Sequence, residues 1–139
     1  MGPVTAVAQH PFSSKIAVSC SEDRCIKVWT LDTGFCQRNI LCASRPHGVT
    51  FTADGSLLVS AHYDGAVRIW DASTGNMVNE VKGVHTQPMT AVTATSASHR
   101  VVGCGRDNVL SIIDVARFQV RLRCSRASHS VCALLVMYS

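Results

Sequence analysis

The sequence has no long apolar run. No segment approaches the roughly 18 consecutive apolar residues that cross a bilayer, and VCALLVM at 131–137 has the length of a strand. The first residues, MGPVTAVAQHPF, lack the charged region and apolar stretch of a secretory signal. Charged residues make up only 16% of the chain against 47% hydrophobic residues, which excludes a disordered protein. We therefore expect a folded cytoplasmic chain without a transmembrane segment.

Motifs for disulfides, metals and catalysis are also missing. The cysteines number seven, an odd count, and include no C-x-x-C pair, which argues against a disulfide framework and a zinc site. The chain has no G-x-S-x-G, no glycine-rich phosphate loop and no H-E-x-x-H. We expect no catalytic residue, no metal and no cofactor. An enzyme remains the alternative if two titratable groups converge in a closed pocket.

The sequence contains one unit that is repeated three times. The stretch SCSEDRCIKVWTLDTG at 19–34 matches SAHYDGAVRIWDASTG at 60–75 and GCGRDNVLSIIDVARF at 103–118. An aspartate recurs at one repeat position, and a tryptophan or isoleucine recurs at another: Asp23, Asp64 and Asp107; Trp29, Trp70 and Ile113. A period of about 40 residues with this Asp-to-Trp spacing is the signature of a four-stranded propeller blade.

Each unit divides into four short segments of alternating polarity separated by turn residues, and none shows helical periodicity. The sequence therefore predicts an all-β fold: a partial β-propeller of about three four-stranded antiparallel blades, plus the first strand of a fourth. The expected blade units are 1–41, 42–83 and 84–125, and 126–139 begins a further blade or forms a tail. The residues expected to pack between blades are Val18, Ile26, Val28, Leu58, Val67, Ile69, Val101, Leu110 and Ile112.

With these residues the chain resembles the WD-repeat family of β-propellers. In that family a loop histidine, a second-strand serine, the turn aspartate and a third-strand tryptophan often form a hydrogen-bonded network, which satisfies a buried indole N–H. The resemblance implies a structural role for Ser19, Asp23, Trp29, Ser60, Asp64, Trp70, His85 and Asp107. No unit has the full set, because Cys42 stands at the second loop position and Gly103 and Ile113 replace the third serine and tryptophan.

The number of repeats is small for a ring. Propellers usually contain about four to eight blades, so three blades leave two faces open. The loop histidine of the first unit would fall just before Met1. We expect either a fragment of a longer propeller or a chain whose open faces are covered by further blades or partner chains, as terminal repeats of stacked arrays require.

A propeller does not specify a reaction, and the family resemblance implies a non-enzymatic scaffold that holds other proteins. Residues beside the turn aspartates are natural contacts, because the strands fix their backbone while their side chains remain available. The candidate partner-binding residues are Glu22, Arg24, His62, Tyr63 and Arg106. Tyrosine and arginine are enriched at binding hot spots, which favours Tyr63 and Arg106.

The order of the three units also resembles successive blades in the C-terminal propeller of the autophagy-related Atg16 family. The shared features are the irregular segment around Cys42, the S-x-H-aromatic-D-x4-R-x-W-D stretch, and Ile113 in place of a tryptophan. This resemblance implies a cytoplasmic adaptor in autophagosome assembly, working beside the Atg12–Atg5 conjugation machinery and contacting membranes only indirectly. The alternatives are a subunit of another complex, such as a ubiquitin-ligase receptor or an RNA-processing assembly, and a truncated fragment without an autonomous role.

Much of the net charge of +4 comes from four arginines near FQVRLRC: Arg117, Arg121, Arg123 and Arg126. Arginines that alternate with apolar residues are typical of a strand with one solvated face, and charge on an outer strand discourages edge-to-edge pairing. We therefore expect no direct nucleic-acid binding. That alternative would predict a strongly salt-dependent interaction.

Overall fold

Twelve short strands form three separate sheets in this computed structural model, which describes residues 1–96 and 99–125. The strands are β1 (Val4–His10), β2 (Ser13–Ser21), β3 (Cys25–Thr30), β4 (Phe35–Leu41), β5 (Pro46–Phe51), β6 (Leu57–His62), β7 (Val67–Asp71), β8 (Met77–Val81), β9 (Met89–Ala94), β10 (Arg100–Gly105), β11 (Val109–Asp114) and β12 (Gln119–Ser125). Sheet 1 contains β1–β4, sheet 2 contains β5–β8 and sheet 3 contains β9–β12, each in antiparallel order. The predicted all-β partial propeller is confirmed.

Two predicted features concern other parts of the chain. The further strand expected at 131–137 lies outside the described residues, as does Arg126. Within the described ranges, no helix has the length and apolar character needed to cross a membrane.

Local side-chain chemistry sets the turns between strands. Asp71 ends β7, and its Oδ1 accepts the backbone N–H groups of Ser73 at 2.8 Å and Thr74 at 2.9 Å. Asp54 does the same before β6, where its Oδ1 accepts the backbone N–H of Ser56 at 3.1 Å. Such local bonds favour a turn over a continued strand. The chain therefore reverses at the positions where the sequence places its Asp, Ser, Thr and Gly clusters.

The sheets pack face to face. We call the side of a sheet that is turned toward the next sheet its forward face, and the opposite side its rear face. The forward face of sheet 1 and the rear face of sheet 2 share one core of buried side chains: Val18, Cys20, Ile26, Val28, Ile40, Cys42, Val49, Phe51, Leu58 and Trp70. The forward face of sheet 2 and the rear face of sheet 3 share a second: Val59, Ala61, Val67, Ile69, Val84, Met89, Val92, Val101, Ile113 and Val115. Sheet 2 is therefore buried on both sides.

Leu110 and Ile112 differ from the expectation that they are buried between blades. Both are only half-buried, whereas their equivalents in sheet 2, Val67 and Ile69, are completely buried. They lie on the forward face of sheet 3, and no other sheet in the described part of the chain packs on that face. The prediction was wrong at these two positions because burial in a propeller requires a neighbouring sheet, which the pattern of a single repeat does not include.

Backbone bonds also hold the link to the next sheet against the turns that follow Asp23 and Asp64. The backbone N–H of Cys42 donates to the carbonyl oxygen of Arg24 at 2.8 Å, and that of His85 donates to the carbonyl oxygen of Gly65 at 3.0 Å. Both accepting residues have positive φ, 68° at Arg24 and 78° at Gly65. A Cβ on Gly65 would lie 2.1 Å from the His85 carbonyl oxygen. Glycine is therefore required where the link to sheet 3 passes the turn of sheet 2.

We expect Gly65→Ala to lower the free energy of unfolding by about 3 kcal/mol or more, because strain at positive φ adds to a clash with backbone. Gly34→Ala is the matched control, since its φ is +68° and nothing lies within 4 Å of an added Cβ. It should cost only about 1 kcal/mol. Urea unfolding followed by tryptophan fluorescence measures both. Equal losses would contradict the close contact between the Gly65 turn and the link to sheet 3.

Candidate functional site

Residues from three equivalent turns lie near His47, close to the start of β5. The imidazole ring of His47 lies 5.9 Å from the ring of Tyr63, centre to centre. The charges of Glu22, Arg106 and Arg45 all act on it. These residues come from all three sheets, and we call Glu22, Arg45, His47, Tyr63 and Arg106 the rim cluster.

The backbone at the three turns is held in the same way in each sheet. The N–H groups of Glu22, Tyr63 and Arg106 each donate to the carbonyl oxygen of the residue immediately before the first strand of their own sheet, at 3.1, 2.8 and 2.9 Å respectively. The three side chains remain exposed, Tyr63 at 51%. The structure therefore brings together three of the sequence-predicted contact residues. Arg24 is also exposed, two residues after Glu22.

Arg45 and His47 were not identified from the sequence. Arg45 is exposed and His47 is half-buried. Nothing in the repeat pattern marks either residue, because Glu22 and Arg106 belong to other repeats. The available signal was only that His47 lies at a strand end, at the same end of the sheet as the aspartate turn.

His62 does not belong to the exposed surface, so its prediction as a partner-binding residue is wrong. It is the last residue of β6 rather than a turn residue, and it is completely buried. Its Nδ1 lies 2.9 Å from the carbonyl oxygen of Ser44, and its Nε2 lies 2.7 Å from Oγ of Ser60. The side chain is committed to the interior of sheet 2.

These bonds give sheet 2 a buried hydrogen-bond chain. Because a carbonyl oxygen can only accept, we assign the imidazole proton of His62 to Nδ1, so that Nε2 accepts from the Ser60 hydroxyl. The Trp70 indole N–H then donates to Ser60 Oγ at 2.8 Å. Burial, together with the nearby charge of Arg68, lowers the pKa of His62 to about 4, which favours the neutral ring.

The imidazole in sheet 2 thus comes from the strand instead of the preceding loop. Cys42 is buried at the loop position that carries His85 in the next repeat. In sheet 3 the strand position equivalent to His62 is Gly105, and a Cβ there would lie 2.9 Å from Nδ1 of His85. Side chains at the loop position (Cys42, His85) and at the strand position (His62, Gly105) would occupy the same space. An imidazole at one position therefore requires a small residue at the other.

In sheet 3 the hydroxyl group of the network comes from the third strand, β11, instead of the second strand, β10. His85 Nδ1 lies 2.8 Å from Oδ1 of Asp107, and its Nε2 lies 2.8 Å from Oγ of Ser111. Ser111 pairs with Gly103 across β10 and β11, which places the serine opposite the position where the other repeats have one. Burial tends to raise the pKa of Asp107, but hydrogen bonds from His85 and from backbone N–H groups lower it overall. Sequence reasoning missed Ser111 because the equivalence depends on strand register.

Sheet 1 retains only part of the network. The Trp29 indole N–H donates to Ser19 Oγ at 2.9 Å. Asp23 accepts the backbone N–H of Cys25 at 3.1 Å, and Lys27 Nζ lies 5.7 Å from the centre of the Trp29 ring. Asp64 in sheet 2 likewise has no imidazole partner among the described residues, and instead accepts from the buried Arg68 at 2.7 Å. The three turn aspartates therefore serve three different local arrangements.

The Asp107, His85 and Ser111 side chains follow the bonding order of a hydrolase triad. Ser111 is completely buried, however, and His85 is only 4% exposed, so a substrate cannot reach the hydroxyl. Among the described residues, no group of three His, Cys, Asp or Glu side chains could hold a metal. The first strands of the three sheets line an open groove of about 760 Å³, mostly with threonine and small apolar side chains. The geometry thus favours structural hydrogen bonding over catalysis.

Two family models match the chain. The model described as WD domain, G-beta repeat matches residues 1–30, and the model described as Anaphase-promoting complex subunit 4 WD40 domain matches residues 24–135. The solved structures of U3-55K and of the RRP9 WD40 repeats align with a TM-score of 0.83 at 17% identity. Each alignment covers 90% of this chain, and 40% or 39% of the solved chain.

Several curated proteins are similar in sequence. Autophagy-related protein 16 of Arabidopsis thaliana is 36% identical over 117 residues, which cover 84% of this chain and 23% of that protein. Protein tipD of Dictyostelium discoideum is 33% identical over 76% of this chain and 18% of its own length. The ribosome biogenesis protein YTM1 of Laccaria bicolor is 28% identical over 74% of this chain and 24% of its own length. The chain thus spans about a quarter or less of these relatives.

The exchange between strand and loop imidazole can be tested by converting sheet 2 to the arrangement of sheet 3. Cys42→His alone should crowd His62, and His62→Gly alone should leave Ser60 without its imidazole, each at a cost of about 2 kcal/mol. The double variant should recover at least about 1 kcal/mol relative to the sum of the single losses. Urea unfolding of all four proteins gives this coupling. Strict additivity would contradict the shared space.

The buried neutral His62 predicts a stability loss in mild acid. The unfolded chain binds a proton near pH 6.5, but the folded chain does so only near pH 4, so unfolding is favoured progressively as pH falls between these values. From pH 7 to 4 the contribution is about 2 to 3 kcal/mol. The contribution of His62 is isolated by measuring urea midpoints against pH for the wild-type protein and for His62→Gln. The substitution should flatten the profile between pH 7 and 4. Parallel profiles would show that His62 is not the group responsible.

Proposed function

Because the chain belongs to the WD-repeat family of β-propeller proteins, we propose that it acts as a non-enzymatic scaffold that binds other proteins through the rim cluster. The observation that carries the proposal is that residues from three equivalent turns lie near His47, with Tyr63 in ring contact and the charges of Glu22 and Arg106 acting on the imidazole. Each turn has its backbone tied to the residue just before the first strand of its sheet, and its side chain exposed. A rigid backbone presenting exposed tyrosine and arginine side chains is suited to protein binding.

The proposed setting is an Atg16-like component of autophagosome assembly in the cytoplasm. It is supported by identities of 36% and 33% to autophagy-related protein 16 and to tipD. Since the chain spans less than a quarter of either protein, the proposal concerns the propeller part. Partners would be proteins of the autophagy conjugation machinery, and any contact with autophagic membranes would be made through them.

A second candidate is a subunit of a ribosome-assembly or other RNA-processing complex. The 28% identity to the ribosome biogenesis protein YTM1 favours it. The arginines of β12 give little support for direct RNA contact, because two of them already have partners within the chain. Arg121 lies 3.3 Å from Asp114, and Arg123 donates to the carbonyl oxygen of Gly83 at 2.7 Å.

Two sheet faces on which no other described sheet packs support one more element of the proposal. Leu110 and Ile112 on the forward face of sheet 3, and Trp29 on the rear face of sheet 1, are half-buried. Their equivalents in sheet 2 are almost completely buried. We therefore extend the proposal to further blades, or partner chains, packed on both faces, with units 1–41, 42–83 and 84–125 as three blades of the assembly.

Tyr63→Ala and Arg106→Ala should each reduce the co-purification of partner proteins by at least about tenfold, because they remove rim hot spots. Quantitative mass spectrometry of tagged wild-type and variant chains measures the loss. Phe35→Ala, which removes an aromatic side chain that is 66% exposed on β4, is the matched control and should have no effect. Autophagy proteins among the lost partners would support the first setting, and ribosome-assembly proteins the second. Unchanged partners would contradict the rim as contact surface.

A further inference from the structure

Two arginines of the rim cluster have no ionic partner in the described part of the chain. Arg45 and Arg106 are exposed and form no salt bridge there, whereas Arg68 pairs with Asp64 and Glu80, at 2.7 and 2.6 Å. Both arginines act electrostatically on the same imidazole, that of His47. Two guanidinium groups without a salt bridge in the described residues therefore lie near one imidazole, one from the loop before β5 and one from the turn after β10. Arginine in this state is suited to bind carboxylate.

The nearby turn carboxylates do not neutralise these charges. Asp64 is occupied by Arg68, and Asp107 accepts from His85 and from the backbone N–H of Thr86. Hydrogen bonds and charge partners lower the pKa of both aspartates overall, against the effect of burial. Their oxygens are thus committed within the fold, and Glu22 is the one carboxylate of the rim cluster.

An apolar surface adjoins the two arginines. The Tyr63 ring is tilted by 32° relative to the His47 ring, with the centres 5.9 Å apart. Burial lowers the pKa of His47, and the charges of Arg106 and Arg45 lower it further, against the opposite effect of Glu22. The imidazole is therefore neutral near pH 7, and it supports the half-exposed tyrosine as a flat face for an apolar side chain.

We propose that the rim cluster binds a short acidic segment of a partner protein. Its carboxylates lie against Arg45 and Arg106, and a neighbouring aromatic or aliphatic side chain lies on the Tyr63 and His47 rings. Glu22 repels the acidic segment on the side of sheet 1, so that the segment runs across sheets 2 and 3. This inference rests on the proposed function, since it names the chemistry of the partner at the same surface.

The test uses fluorescein-labelled peptides in which two Glu alternate with one Tyr, with Lys–Lys–Tyr and Ser–Ser–Tyr peptides of equal length for comparison. Fluorescence anisotropy with the full chain should show the Glu peptide binding at least about tenfold more tightly than either, and the difference should shrink as salt is raised. Glu–Glu–Ser peptides should bind more weakly than Glu–Glu–Tyr, because the aromatic contact is lost.

Arg45→Gln combined with Arg106→Gln should weaken binding of the Glu peptide by at least about tenfold, and Glu22→Gln should strengthen it a few-fold. Arg117→Gln is the matched control, because Arg117 is an exposed arginine on the β11–β12 turn outside the rim cluster, and its affinity should match wild type. Circular dichroism of each variant establishes that the sheets remain folded.

Equal binding of the Glu and Lys peptides, or an unchanged affinity in the double arginine variant, would overturn the inference. Binding of polyuridine RNA through Arg45 and Arg106, without binding of the Glu peptide, would overturn it in favour of a nucleic-acid partner. If Tyr63→Ala abolishes partner co-purification while no acidic peptide binds, the proposed scaffold stands and only the acidic chemistry fails. If partner co-purification is also unaffected by Tyr63→Ala, the rim itself is not the contact surface.

Discussion

The packing of sheet 2 between sheets 1 and 3 is the interaction on which the other features depend. Leu58 and Trp70 fill the core on its rear face, and Val67 and Ile69 fill the core on its forward face. Burial of apolar surface on both sides supplies the main stabilisation. The same packing sets the three aspartate turns side by side, so the rim cluster exists only because the sheets are docked.

Each interior must also satisfy polar groups that packing removes from water. Sheet 2 does this with His62 from its own strand, and sheet 3 does it with His85 from the loop and Ser111 from the third strand. The requirement is the same in both, since an unpaired buried donor or acceptor is costly. Different residues can meet it because the shared condition is the position of an imidazole and a hydroxyl, not the strand that carries them.

The polar groups of the interior and those of the rim differ in whether they already have partners. Inside, the imidazoles and hydroxyls are saturated with partners and closed to solvent, which favours a structural role even where the bonding order is that of a triad. At the rim, Arg45 and Arg106 are exposed without an ionic partner in residues 1–96 and 99–125. Charged side chains that are available to a partner therefore lie at the rim cluster, which is the basis for proposing a function for that surface.

The sequence by itself determined the repeat, the strands and the fold class, because alternation, turn residues and the Asp-to-Trp spacing act within one repeat. It also marked Ser19 and Trp29, and likewise Ser60 and Trp70, as members of one network, and each tryptophan donates to its serine across neighbouring strands. Only the tertiary structure decided the burial of His62, the role of Ser111, the partial exposure of Leu110 and Ile112, and the placement of Arg45 and Arg106 near His47. Each of these depends on strand register or on a neighbouring sheet, and neither is encoded in the local pattern of a single repeat.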